Sequence, residues 1–149
     1  MNIETELCKA LSRVFQGRLD GLPVEGNWIA DETYLKGVDA GETEKLEITV
    51  SPRKYEGYTS RIPEFSVTLE ATLALSDDAS LERTLGIYET IAGILEDWHE
   101  NISSVKRDLT VASAFDPVGF RLDGGTFELD RETKSRNITQ QFTIKGRIH

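Results

Sequence analysis

The stretch EFSVTLEATLALSDDAS, Glu64 to Ser80, changes its hydrophobic period partway along and so decides the fold. Phe65, Val67, Leu69, Ala71, Leu73 and Leu75 fall on odd positions, with Glu64, Ser66, Thr68, Glu70 and Thr72 between them. Successive side chains of a strand point to opposite faces, so this pattern predicts a strand with one buried and one wet face. From Ser76 to Ser80 the period lengthens to about 3.6. Leu81, Leu85, Tyr88, Ala92, Leu95 and Trp98 then repeat at helical spacing, with Ile87, Ile91 and Ile94 widening the stripe. Asp77, Asp78 or Ser80 can cap a helix that runs to Trp98 or His99, and the acids suit its positive end.

Upstream, Ile3, Leu7, Leu11, Val14 and Phe15 recur every three or four residues, which predicts an amphipathic helix ended by Gly17. The glycine-rich stretch from Gly17 to Glu44 reads as a long connection with one short strand around Trp28. Leu46, Ile48 and Val50 then alternate in KLEITVS, a strand closed by Pro52. Downstream, Asp108 to Phe115 and Val118 to Leu122 read as two short strands, with Phe127 and Leu129 in a third after a Gly124-Gly125 turn. A long final strand from Arg136 to Ile148 places Ile138, Phe142, Ile144 and Ile148 on one side. This order predicts a single α+β domain over residues 1–149. It should have a mixed or mostly antiparallel sheet of about five strands and two helices packed on one face.

Charge excludes some classes of function. The 149-residue chain has a formal net charge of -9, and residues 63 to 100 alone hold nine acids and one base. A duplex-binding protein works by neutralising phosphates, so specific nucleic-acid binding is not expected. No run approaches the 18 or so apolar residues of a membrane helix. The N-terminus MNIETELCKA carries acids where a signal peptide carries bases, so cytoplasmic residence is expected.

Catalytic and metal signatures are missing: there is no glycine-rich phosphate loop, Cys pair, HExxH or GxSxG element. Cys8 is the single cysteine and reads as a small apolar residue on a helix face, while His99 and His149 sit at a helix end and the chain end. Asp77-Asp78, Glu96-Asp97 and Asp130/Glu132 are carboxylate pairs of the kind that usually lie solvated on a surface. The reading is therefore non-enzymatic, with no metal or cofactor. The best candidate contact site is the loop PRKYEGYTSRIP, Pro52 to Pro63. Its Arg53, Lys54, Tyr55, Tyr58 and Arg61 are residue types enriched in interface hot spots.

The helix of residues 3–16, KLEITVS, the basic loop, FSVTLEATLAL, the helix ending LEDWH and NITQQFTIKGRI together resemble the small tail terminator or tail-completion proteins of long-tailed bacteriophages. The resemblance covers most of the chain in element order and texture, without a diagnostic motif. Such proteins assemble as hexameric rings on the tail tube and join tail to head. The resemblance therefore implies a structural virion protein assembled in the host cytoplasm. Its partners would be copies of itself, the tail tube and head-completion proteins, with DNA passing through the ring past an acidic surface. The stretch from Gly17 to Glu44 is longer and less regular than that pattern. Another minor tail or head-completion protein, and a small ligand-binding α+β domain, stand as alternatives. A hydrolase using unrecognised carboxylates is a distant third.

Overall fold

The computed structural model describes residues 2–19, 21–28, 44–55, 62–75, 78–109, 115–132 and 134–149, the side chains of 27, 28 and 78–80 excepted. Helix α1 (Ile3–Arg18) is followed by β1 (Val24–Trp28), β2 (Lys45–Val50), β3 (Glu64–Ala74), α2 (Asp78–Glu100), α3 (Ile102–Asp108), β4 (Phe115–Asp130) and β5 (Ser135–Ile148). The strands form one sheet in the order β1-β2-β3-β5-β4, parallel between β1 and β2 and antiparallel elsewhere. This is the expected α+β arrangement, with a mixed five-stranded sheet.

Alternation assigns the two faces of that sheet. Leu46, Ile48 and Val50 of β2, the odd residues of β3 from Phe65 to Leu73, and Ile138, Phe142 and Ile144 of β5 are all buried. Helix α1 covers β1 and β2, while α2 and α3 pack over β3 and β4. Trp98 of α2 anchors the middle of this core. Its ring meets Phe15, Phe120 and Phe142 edge to face at 5.9–6.0 Å, and its Nε1–H donates to Asp108 at 2.8 Å. Thr49, Thr68 and Gln141 form one polar row across the opposite face, and Glu25, Glu47 and Glu70 form another. Lys45 bridges Glu25 and Glu47 at 3.5 and 2.6 Å, which offsets the repulsion between those two neighbours.

The observed elements depart from the sequence pattern in four places. Gly17 does not end α1. The helix runs one residue further because Leu19 enters the core and its N–H caps the Phe15 carbonyl at 2.8 Å, which outweighs the roughly 1 kcal/mol that a helical glycine costs. A third helix, α3, occupies 102–108, where the strand reading began at Asp108. Asn101 creates it: its N–H closes α2 onto the Asp97 carbonyl, and its side chain accepts from the Ser103 N–H at 3.1 Å. The remainder of that strand candidate, 110–114, lies outside the described residues, as does Asp77.

The other two departures concern β4. The segments from Val118 to Leu122 and around Phe127 and Leu129 are one strand of 16 residues, and Gly124-Gly125 lies inside it instead of forming a turn. Register shifts between Pro117 and Gly119 and between Leu122 and Gly124 mark two bulges. Each inserts one residue and flips the parity of the apolar positions, so one bulged strand looks like three short ones. Gly124 supplies the φ of 125° that the second bulge requires. The hairpin instead closes beyond the Asp130–Ser135 pair, where Asp130 accepts from the Glu132 N–H at 3.0 Å.

Gly146 of β5 gives a direct test of packing at the start of β4. It faces Pro117, and a Cβ there would land in the Phe115 ring and 3.0 Å from the Asp116 carbonyl. Phe115 has little room to retreat, since it stands edge-on to buried Phe65 at 5.4 Å. Gly146→Ala is expected to cost about 1–3 kcal/mol. The urea midpoint should fall with an unchanged slope.

Candidate contact surface

The loop after β2 is fixed to α1 by a partly buried ion pair. Arg53 donates from its Nη2 to Glu4 Oε1 at 2.6 Å, and its backbone N–H and Nε both donate to Oε2 at 3.3 Å. The Glu4 side chain is 6% exposed and that of Arg53 29%, with the guanidinium 5.8 Å above the Phe65 ring. Burial pushes the Glu4 carboxyl upward. The hydrogen bonds from Arg53 and the backbone outweigh it and hold the group below the usual glutamate value. Arg53 is raised in turn, first by its bond to Glu4 against the cost of desolvation, with Tyr55 adding a smaller contribution.

That geometry divides the five residues of the contact site. Arg53 holds the loop in place. Lys54 bridges to Glu64 through backbone hydrogen bonds of 2.9 and 2.7 Å and leaves its side chain exposed. Tyr55 is 52% exposed, the highest value among the large exposed apolar side chains of the described residues. Tyr58 and Arg61 lie outside the described residues.

Sequence periodicity missed a second surface. The apolar arc of α2 is wider than the sheet it covers. Thr84, Ile87, Ile91, Ile94, Leu95 and Trp98 turn inward, while Leu81 and Leu85 stay 43% and 46% exposed. Beside them, the far half of β4 exposes Leu122, Phe127 and Leu129 on the same side of the sheet that carries the helices. Tyr88 meets Phe127 edge to face at 6.2 Å and spans the gap between helix and strand. A groove of about 440 Å³ opens there, lined by Tyr88, Leu122, Phe127, Gln140 and the Gly124-Gly125 backbone. The two overlapping apolar stripes of α2, one of Leu and one of Ile, were the signal for it: a single flat sheet cannot bury both.

The remaining polar clusters have structural partners. On the open face the bulged Asp123 accepts from Arg121 Nε at 2.7 Å and from the Thr143 hydroxyl at 2.5 Å. Burial pushes the Asp123 carboxyl up, but the bonds from Arg121 and Thr143 leave it below the ordinary aspartate value. Cys8 is fully buried, and desolvation pushes its thiol up to about 11, which removes thiolate character at neutral pH. Among the described residues no group of three or more His, Cys, Asp or Glu side chains is arranged to hold a metal ion. Nor is any helix among them long and apolar enough to cross a membrane. In comparisons with known proteins, the chain matches no protein-family model and no curated sequence.

Proposed function

We propose that this chain is a structural building block that assembles with copies of itself into a ring, in the role of the tail terminator that caps a phage tail tube and joins it to the head. The observation that carries the assembly part is the exposure of Leu122, Phe127 and Leu129 on the edge strand β4 and of Leu81 and Leu85 on α2, the two elements being joined by the Tyr88–Phe127 contact. Contiguous exposed apolar surface of this kind usually belongs to a binding surface. An edge strand adds unpaired backbone groups to it. The two bulges of β4 limit indiscriminate edge-to-edge pairing, so docking there depends on shape.

The tail role rests on the order and texture of the elements, and the acidic residues suit it. Glu25, Glu47 and Glu70 line up across the sheet face opposite the helices, where Lys45 pairs with two of them, so it is the net charge of -9, and not this row, that suits a passage to which DNA does not adhere. The groove beside Tyr88 favours a second reading, a small ligand-binding domain, because apolar clefts with a few polar groups are the usual form of such sites.

Mass in solution separates the two readings. A ring gives a particle of about six copies in light scattering, following the resemblance to hexameric terminators, and the particle should persist at high salt because its contacts are mainly apolar. A strict monomer at high concentration that takes up a small apolar molecule would replace the ring with the ligand domain.

A further inference from the structure

We propose that β4 pairs with β4 of a second copy of this chain, antiparallel about a two-fold axis at Gly125, so that two sheets join edge to edge into one. β4 is the last strand of its sheet, and among the described residues nothing but β5 pairs with it. The register shows which of its backbone groups remain to be paired. Gly146 donates to the Pro63 carbonyl and Lys134 accepts from the Leu75 N–H, so the even residues of β5 turn their backbone toward β3 and the odd ones toward β4. From Lys145 to Ser135 the odd residues meet Gly119, Arg121, Gly124, Thr126, Glu128 and Asp130. That leaves Phe120, Leu122, Gly125, Phe127 and Leu129 turned to the open edge.

Those five residues fit their own copy in one register. They stand opposite Ile144, Phe142, Gln140, Ile138 and Arg136, evenly spaced along β5, so the extra residue at the second bulge is absorbed within β4. Turned about Gly125, the edge sets Gly125 against Gly125, Leu122 against Phe127 and Phe120 against Leu129, and each edge-turned residue meets another. Between them Arg121 falls opposite Glu128 of the other copy, and Asp123 opposite Thr126. The next hydrogen-bonding register in either direction opposes like charges instead, Asp123 to Asp123 or Asp123 to Glu128, which is unfavourable. The ladder is bounded at both ends, by Pro117, which has no N–H to give, and by the chain reversal after Asp130.

Both faces of the seam are complementary. On the helix side, Leu122, Phe127 and Leu129 are 38%, 46% and 48% exposed in the single chain, and pairing lays them against one another and against Phe120. On the open side the Arg121–Glu128 contact occurs twice by symmetry. Arg121 keeps 58% of its side chain exposed while it holds Asp123, and the β5 neighbour of Glu128 is the uncharged Asn137. An axis normal to the sheet leaves the helices of both copies on the same side. The contact is isologous, one patch meeting itself, and so goes beyond the ring reading. A ring of six that uses it consists of three such pairs joined by a second, different contact.

The test uses the full chain with a cysteine at either end of the charged contact, Arg121→Cys and Glu128→Cys. These residues form a non-hydrogen-bonded pair in the proposed register, with Cβ atoms about 4.5–5.5 Å apart, close enough for a disulfide after a small adjustment. Cys8 is fully buried and does not compete. Under mild oxidation the mixture of the two variants should cross-link into dimers and neither variant alone should, because each residue lies about six positions, roughly 20 Å, from its own counterpart across the seam. Sedimentation equilibrium of the parent should show even numbers of copies, and Phe127→Lys should weaken association about tenfold or more. If Phe127→Lys fails to fold, the cysteine variants decide alone. A parent that assembles while the mixture does not cross-link, or cross-links no better than the single variants, overturns the two-fold pairing and leaves the ring reading standing. A specific cross-link with a mass that stops at two copies upholds the pairing and overturns the ring. A parent that stays monomeric at every concentration, with no cross-link in the mixture, overturns both.

Discussion

Trp98→Ala is expected to be the most damaging single substitution in the chain, costing about 3–5 kcal/mol. Domains of this kind hold only about 5–15 kcal/mol in total, so the variant should sit at or near the edge of folding at 37 °C. Trp98 is fully buried and touches three aromatic rings contributed by α1, β4 and β5. Removing it opens a cavity between helix layer and sheet that Phe15, Phe120 and Phe142 cannot close together, since each is held by a different element. A second cost follows from the indole. Its N–H is one of the bonds that keep Asp108, a side chain 11% exposed, ionised against desolvation.

Trp98→Phe separates the two effects. It keeps most of the ring packing and loses the hydrogen bond, so it should cost about 1–3 kcal/mol. The Asp108 carboxyl is held below its usual value in the fold, so its contribution is present above the unfolded value of about 3.9 and fades as pH falls through the folded one. In Trp98→Phe the folded value lies closer to the unfolded one, so that loss should be smaller and complete at higher pH. Urea midpoints of the three proteins between pH 3 and pH 7 measure both terms.

Why some of this was legible in the sequence and some was not follows from the geometry of particular elements. β3 is buried on one face without interruption, and its alternation marks it from Glu64 to Ala74. β5 and β2 follow the same rule. β4 obeys it only between bulges: its inward residues are Phe115 and Pro117, then Phe120 and Leu122, then Phe127 and Leu129, odd, even and odd again. A parity count reads each flip as a strand end, and nothing local distinguishes a bulge glycine such as Gly124 from a turn glycine. α3 has seven residues, too few to show a helical period, and its capping Asn101 also fits a loop. α2 was found readily, but its facing was not. The stripe through Leu81 and Leu85 continues the line of Tyr88 and Trp98 in sequence, yet the sheet meets the Ile87–Ile91–Ile94 side at that end. Those surplus leucines stay exposed on α2, and the groove takes only Tyr88 from the helix. The loop residues Arg53 to Tyr55 were visible by composition. The buried carboxylate that holds them, Glu4, was not, because in the sequence it is one of two ordinary acids in a first helical turn.

That carboxylate gives the second large effect, and its two ends should behave differently. Arg53→Leu strands a carboxylate that is 5% exposed, and breaking such a pair should cost about 3–5 kcal/mol at neutral pH. Glu4→Leu strands a guanidinium with 29% of its side chain in water, so relief by solvent is available and the cost should be smaller, about 1–3 kcal/mol. Replacing both with leucine should recover most of the loss, because two packed apolar side chains require no desolvation of charge. Acid should then separate the single variants. In the parent, Glu4 lies below its ordinary value of 4.5, so the pair stabilises the fold above that value and the benefit is lost as pH falls through the folded one. Without the Arg53 side chain, burial is opposed only by the backbone hydrogen bonds, so Glu4 should protonate at a higher pH than in the parent and acidification should relieve the penalty. The stability of Arg53→Leu relative to the parent should therefore improve from pH 7 to pH 4, whereas Glu4→Leu has no carboxylate there to titrate. Chemical unfolding at the two pH values measures this. An Arg53→Leu deficit that stays constant would mean the pair contributes through packing alone, and the loop carrying Tyr55 would then be held by the Lys54–Glu64 backbone bridge.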